Sequence, residues 1–415
     1  MNNDEIRTEV SPIMLSLMRV FPALFSLCSL MFTATANNAE AAEAFGESVQ
    51  FRGSLTNSRI KFEREKKGTV AFLGGSITEM EGYRPMVCDI LKKRFPATDF
   101  KFVAAGISST CSTTGAFRLE RDVLAQGPVD LFFVEFAVND DQDAAHTRAE
   151  CIRGMEGIIR HMRQANPNVD IVMTFFVNEG MLKTLREGKT PLTMEAHEAV
   201  GKHEEVSTIR LGKEVAEQIS AGKLTWKQYG GVHPAPFGNA IAASMIDELF
   251  HRAWGKPLAA DAALTKHQVP EPPLDPLNYS KGRFIDPKEA HVVKSWTLGV
   301  PDWKSIPGSK RERFTSVPML STTEPEAEAT LEFEGTTVGA FIVAGPDAGI
   351  VEASIDNGKP TRFDVYRNYS SRLHYPYSLV FGTHLHPGKH LLRLKMAANT
   401  NHGGHALRVM QFEAN

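Results

Sequence analysis

The sequence predicts two fold classes in one chain. The first is an α/β domain, a three-layer α/β/α sandwich on a parallel sheet; the second is a C-terminal antiparallel β-sandwich. Three observations carry this. Apolar strand-like runs alternate with helical segments over 50–254, the pattern of a sheet covered on both faces. Proline-rich sequence then fills 255–316, with EPPLDPLNY and DWKSIPGSKRE, and reads as an extended connection wrapped on the first domain. From 317 to 415 only short alternating strands remain, of the kind that build a sandwich.

Within the first domain, Thr69–Leu73 reads as a buried strand and Arg84 to Arg94 as an amphipathic helix. Phe100–Val103 is a short strand. Val129 to Phe136, VDLFFVEF, is nearly continuous in apolar residues, as a central parallel strand must be. Helical spacing of Ile152, Met155, Ile158, Ile159 and Met162 marks a helix over 148–164, ended near Pro167. Val169–Phe175 and Val206–Leu211 return as strands, and Ala235–Phe250 as the last helix. In the second domain, Ala329–Phe333, Gly339–Ala344, Val351–Ile355, Arg362–Tyr366, Tyr377–Phe381, Leu391–Met396 and Ala406–Phe412 are strand candidates, with Asp356-Asn357-Gly358 as a hairpin turn.

A chain of 415 residues is long enough for two or more cores. Its net charge of -3, with signs interspersed, gives no basic stripe and excludes nucleic acid as a partner. Residues 1–36 read as a signal peptide, with Arg19 as the basic element, Val20 to Phe32 as the apolar core and Ala34-Thr35-Ala36 as the cleavage site. The competing reading, a retained anchor, meets a short run interrupted by Pro22. The expectation is a secreted or periplasmic protein with no membrane span after processing. Cys88, Cys111 and Cys151 then remain, an odd number without zinc-site spacing.

Parallel sheets bind their ligands outside the carboxyl ends of their strands, so the punctuation there is informative. The first strand ends in Gly74-Gly75-Ser76-Ile77-Thr78, where the chain turns sharply and displays a serine before a helix. Taken alone, Ser76 is equally a helix cap. The next strands end in Ala104-Ala105-Gly106 and Ala137-Val138-Asn139-Asp140, and Gly230-Gly231-Val232-His233-Pro234 closes the domain. A hydroxyl, an unhindered amide, a carboxamide and an imidazole at one sheet edge are what acyl transfer through a tetrahedral intermediate requires.

On these four blocks, in this order, the chain resembles the SGNH/GDSL hydrolase family over roughly 67–250. The resemblance implies Ser76 as nucleophile, Gly106 and Asn139 as oxyanion donors, and His233 as general base, with no metal or organic cofactor. Gly75 replaces the usual aspartate of the first block. The last block departs further, because the family's aspartate three residues before the histidine is here Gly230. Three readings stand: His233 is oriented by a backbone carbonyl, or by Asp140, Asp141 or Asp143, or hydrolysis has been lost. Among the acids, Asp140 is preferred because it follows Asn139.

The function so implied is a serine esterase acting on an acetylated poly- or oligosaccharide. The alternative is a catalytically inactive carbohydrate-binding or scaffold protein. Arg84 and Arg118 read as surface or structural arginines before substrate-gripping ones. Trp226 and Tyr229 read equally as an aromatic wall or loop packing, and Tyr366, Tyr375 and Tyr377 as sugar platforms or domain-interface residues. The histidines at 384, 386, 390, 402 and 405 read as ordinary surface residues.

Overall fold

The computed structural model describes residues 45–415; the signal sequence expected over 1–36 lies outside the described residues. Among the described residues, no helix is long and apolar enough to cross a membrane. Residues 48–415 form one compact unit.

Strands β1 (Val49–Gln50), β2 (Lys67–Gly74), β3 (Asp99–Gly106), β4 (Leu131–Glu135), β5 (Asp170–Thr174) and β6 (Ser207–Ile209) make one sheet in the order β1-β6-β5-β4-β2-β3. Every pairing is parallel except β1 with β6. Strand β4 is buried throughout, and Phe133 stacks on Phe72 of β2 with ring centroids 4.9 Å apart. Helices follow the strands: α1 (Ser76–Glu79), α2 (Tyr83–Arg94), α3 (Ser112–Asp122), α4 (Ala137–Gln142), α5 (Arg148–Ala165), α6 (Glu179–Arg186), α7 (Leu192–His203), α8 (Leu211–Ser220), α9 (Trp226–Tyr229) and α10 (Pro236–Trp254). Helix α3 packs on α5 and α5 on α7, whereas α2 packs on α10. This is the three-layer architecture expected from the alternation of elements.

Local chemistry sets the helix ends. Thr147 and Glu150 form a reciprocal capping box at the start of α5, satisfying two backbone donors there. Cys151, Ile152, Met155, Ile158, Ile159 and Met162 are its buried stripe. Pro236 occupies the first turn of α10, where its missing N–H costs nothing.

Strand β2 lies between β3 and β4, so the chain leaves it in one direction and returns on its other side. The crevice that this reversal opens is at the carboxyl end of β2, where Ser76 begins α1.

The C-terminal third is a two-sheet sandwich. One sheet has the order β10-β16-β13-β18-β11-β9, with β7 also on β18; the other has the order β15-β14-β17-β12-β8. Their ranges are β7 Arg283–Ile285, β8 His291–Lys294, β9 Thr297–Gly299, β10 Ser309–Lys310, β11 Met319–Thr322, β12 Glu328–Glu334, β13 Val338–Ala344, β14 Ile350–Ile355, β15 Thr361–Asp364, β16 Leu373–Gly382, β17 Lys389–Met396 and β18 Leu407–Ala414. Leu320, Ala340, Ile342, Val351, Leu392 and Val409 are among the side chains buried between the sheets. Asp356 and Asn357 take positive φ, as the hairpin signal predicted.

The sequence expectation for 255–316 needs correction. Only its first part is an extended wrap; β7 to β10 join the sandwich, so that fold does not begin at 317. These strands are two to four residues long, and β8 and β9 are exposed along their length, leaving no alternating pattern to read. The wrap is anchored on α5. Glu156 accepts the Leu274 and Asp275 amides, while Arg160 and Arg163 donate to the carbonyls of Pro270 and Gln268 and to buried Glu204.

The outer face of the larger sheet closes on the first domain. Phe341, Val343 and Met410 pack with Phe314, Met319 and Ile107, the residue immediately after β3.

Gly157 of α5 carries the tightest point of the wrap. A Cβ there would lie 2.6–2.8 Å from the backbone N, C and Cα of Tyr279. Gly157→Ala is therefore expected to destabilise the protein by about 1–3 kcal/mol through overpacking, despite the better helix propensity of alanine. Urea unfolding followed by fluorescence checks this; an unchanged or raised midpoint would mean that the wrap is not held against α5.

Candidate active site

Gly74 and Gly75 exist because other groups occupy the space of a side chain. A Cβ on Gly74 would sit 2.2 Å from Glu135 Oε1, and one on Gly75 would sit 2.1 Å from Asn139 Oδ1. The chain turns between these groups and α1 begins with Gly75 as its N-cap. The Gly75 carbonyl accepts the Glu79 amide at 3.0 Å, which fixes the turn and leaves Ser76 half-buried at the rim.

Gly106 ends β3 in register with Gly74. Its missing side chain lets the backbone of α1 pass closely, since a Cβ would be 2.2 Å from the Glu79 nitrogen. Asn139 lies in α4, immediately after β4, and is buried. Its Nδ2 donates to Asp143 Oδ2 at 2.6 Å, and the second hydrogen of that amide remains for another acceptor. His233 is exposed, four residues beyond the end of α9, and its Nε2 lies 2.8 Å from Ser76 Oγ. Ser76 and His233, 157 residues apart in sequence, are thus within hydrogen-bond reach of one another. Gly106 and Asn139 border the same turn.

Asp140 does not orient His233. Its carboxylate is fully buried and accepts the Ser112 amide and hydroxyl, each at 2.7 Å, with His197 Nε2 at 2.9 Å. Burial alone would raise its pKa, but His146 and His197 hold it well below the usual carboxylate range. The physical reason is helical: consecutive residues of α4 diverge by about 100° around the axis. Asn139 and Asp143, four apart, share a face instead. Asp141 accepts from Asn178 Nδ2 at 2.7 Å. Asp143 is the acid of this group close enough to His233 to feel its charge, and partial burial together with the Asp143 charge raises the pKa of Tyr369 from the sandwich. Burial raises its pKa despite the bond from Asn139. Among the described residues, no carboxylate or carbonyl is bonded to His233 Nδ1.

The backbone explains the missing aspartate. Gly230 has φ +108°, ending α9 in the left-handed region, and a Cβ there would lie 2.0 Å from the Ala235 nitrogen. This loop has no room for a side chain at that position.

Of the support around the site, sequence reasoning read only Arg118, as a surface or structural arginine, and missed the rest. Glu135, the one carboxylate in an apolar strand, accepts the Gly75 amide at 3.0 Å and the Thr78 hydroxyl at 2.7 Å. Burial pushes its pKa up to about 7. Its charge in the run VDLFFVEF was the available signal. Arg118 is fully buried and donates to the carbonyls of Gly74 at 2.9 Å and Ala105 at 2.7 Å. Glu79 accepts the Ser108 amide at 2.8 Å and bonds Arg313, which also reaches the Gly106 carbonyl at 3.2 Å. Arg311 donates to the Ser108 carbonyl and to Ser109 Oγ. Tyr229 is buried and stacked on Trp226, so it is loop packing rather than a substrate wall.

Residues 72–241 match the GDSL-like lipase/acylhydrolase family. No curated protein matches the sequence. Among solved structures, a two-domain esterase active on acetylated mannans aligns over 88% of this chain and 96% of its own, with a TM-score of 0.70 at 18% identity. The crystal form of such an esterase co-crystallised with mannopentaose gives the same values. At that identity the likeness is one of fold, and it extends across both domains.

Introducing the carboxylate at its usual place should harm rather than help. Gly230→Asp places a side chain on a left-handed backbone, a cost of roughly 1–3 kcal/mol before the clash with Ala235. A lower unfolding midpoint is expected in a thermal melt; a stable variant would show that the His233 loop has a second conformation.

Proposed function

We propose, taking the α/β domain as a member of the GDSL-like lipase/acylhydrolase family and the chain as an ester-hydrolysing enzyme, that it is a serine esterase removing acetyl groups from a carbohydrate. The observation that carries this reading is the 2.8 Å contact between Ser76 Oγ and His233 Nε2. Ser76 attacks the ester carbonyl as His233 takes its proton. The oxyanion is received by the amides of Ser76 and Gly106 and by Asn139 Nδ2. His233 then protonates the departing sugar oxygen, leaving an acetyl group on Ser76. Water, deprotonated by the same imidazole, releases acetate and restores the hydroxyl. With no carboxylate bonded to Nδ1, His233 acts as half of a couple.

The carbohydrate part of the proposal has separate support. A cleft of about 390 Å³ lies between Asp143 and Ala144 and the sandwich residues Arg367, Tyr375 and Tyr377; Ser76 and His233 do not line it, so it would hold sugar units away from the ester. Polar groups beside aromatic rings suit a sugar chain. The relative of similar two-domain fold is described as active on acetylated mannans. Secretion is part of the same proposal and rests on the sequence of 1–36. The inactive binding-protein reading draws on one observation, the unassisted His233.

The two readings separate in one set of measurements. Wild-type protein is expected to release acetate from acetylated mannan and to be labelled on Ser76 by a serine-reactive phosphonate. Ser76→Ala should abolish both, and Asn139→Ala should lower kcat by about 10²–10³ with the fold intact. Full activity in Ser76→Ala would refute the mechanism. Mannan binding without labelling or acetate release would establish the inactive reading.

A further inference from the structure

The Gly74–Gly75 peptide unit is held at both ends by buried ionisable side chains on opposite sides. Its carbonyl, the oxygen of Gly74, accepts Arg118 Nη2 at 2.9 Å as well as the Ile107 amide at 3.1 Å. Its N–H, on Gly75, donates to Glu135 Oε1 at 3.0 Å. Arg118 and Glu135 are 0% and 1% exposed, and they make no ion pair with each other; the peptide lies between them. A cation on the oxygen and an anion on the N–H favour the same polarised form of the amide, so the two hydrogen bonds strengthen one another in a medium of low dielectric.

Burying a carboxylate in a central strand is costly, and packing alone gives no reason for it. The other residues of β4, Leu131 to Val134, are apolar. Glu135 sits directly across from Gly74 in the β2–β4 register, and its carboxylate fills the space that a Gly74 side chain would need. Its second oxygen, Oε2, is buried without a partner. Arg118 is likewise tied to the turn, spanning the carbonyls of Gly74 and Ala105 from α3.

We propose that Arg118 and Glu135 are positioning residues that clamp the Gly74–Gly75 peptide from its two ends and so fix the direction of the Ser76 amide and hydroxyl. The catalytic consequence rests on the serine esterase reading; the clamp itself does not. Protonation of Glu135 replaces a charged acceptor by a weaker neutral one and loosens the N–H end of the clamp. Its pKa, raised by burial to about 7, places that change in the neutral range. The other ionisable groups that face it are Tyr83, Tyr229 and Asp140. The two phenols are shifted far upward by burial, and Asp140 is held far downward by its histidines, so none of the three titrates near neutrality.

The peptide can be observed alone. Carbonyl-13C and 15N labelling of glycine selects Gly-Gly peptides, of which the chain has those at 74–75, 230–231 and 403–404. In wild-type protein the 74–75 resonance should shift with pH in one step near neutrality. In Glu135→Gln, which keeps an acceptor oxygen but no charge, that step should vanish. The same variant should lose about tenfold to a hundredfold in kcat with little change in KM. The acid limb of its pH profile should fall with one proton instead of two. A wild-type resonance that does not titrate overturns the clamp, whether or not Glu135→Gln folds. A titrating resonance with unaltered kcat and pH profile in Glu135→Gln overturns the positioning role. A titrating resonance in a protein that hydrolyses no ester supports the clamp and overturns the esterase reading instead.

Discussion

Everything at the site depends on how closely three backbone segments approach at the carboxyl end of β2. Gly74, Gly75 and Gly106 each have another group where a Cβ would be, and those groups are Glu135, Asn139 and the backbone of α1. The parallel pairing of β2 with both β3 and β4 brings the three strand ends to one place. Glycine then allows the side chains of β4 and α4 to fill the space that the turn leaves. A larger residue at any of these positions would push one of those groups away from the Ser76 turn, and interiors this dense do not absorb such shifts. The same crowding explains the glycine at position 75: the Asn139 amide already occupies that volume.

The sandwich is part of this construction. Its outer sheet buries Ile107, next to Gly106, and the strap before β11 sends Arg311 and Arg313 onto Ser108, Ser109, Glu79 and the Gly106 carbonyl. Tyr369 of the sandwich lies within the field of Asp143, the partner of Asn139. The loop between β3 and α3 and the helix α4 are therefore held from both domains. The likeness of fold to a solved two-domain esterase takes in the sandwich as well as the α/β domain.

Much of this was legible in the sequence, for identifiable reasons. Apolar runs broken by glycine mark strand ends, and Ser76, Gly106, Asn139 and His233 stand at or beyond such breaks; the structure places them around one turn. Asp140 was misjudged because residues that follow a strand were treated as continuing it, whereas α4 begins at Ala137 and rotates neighbours apart. A structural role for Arg118 and an odd charge at Glu135 were legible, but not their partners, which are backbone atoms 44 and 60 residues away that no side-chain pattern records. The arginine strap is more distant still, at 203 and 234 residues from Ser108 and Glu79. The absence of aspartate at 230 was legible, but its cause, a left-handed backbone against Ala235, was not.

The central claim is that Ser76, activated by His233 without a bonded carboxylate, carries the acyl group. Acid quenching of the wild-type protein during turnover of a chromogenic acetyl ester, followed by peptide mass mapping, tests it most directly. The account predicts one acetyl group, on the peptide containing Ser76, appearing with the initial burst of alcohol product. Alcohol released at full rate while Ser76 stays unmodified, or an acetyl group found on another residue, would contradict it.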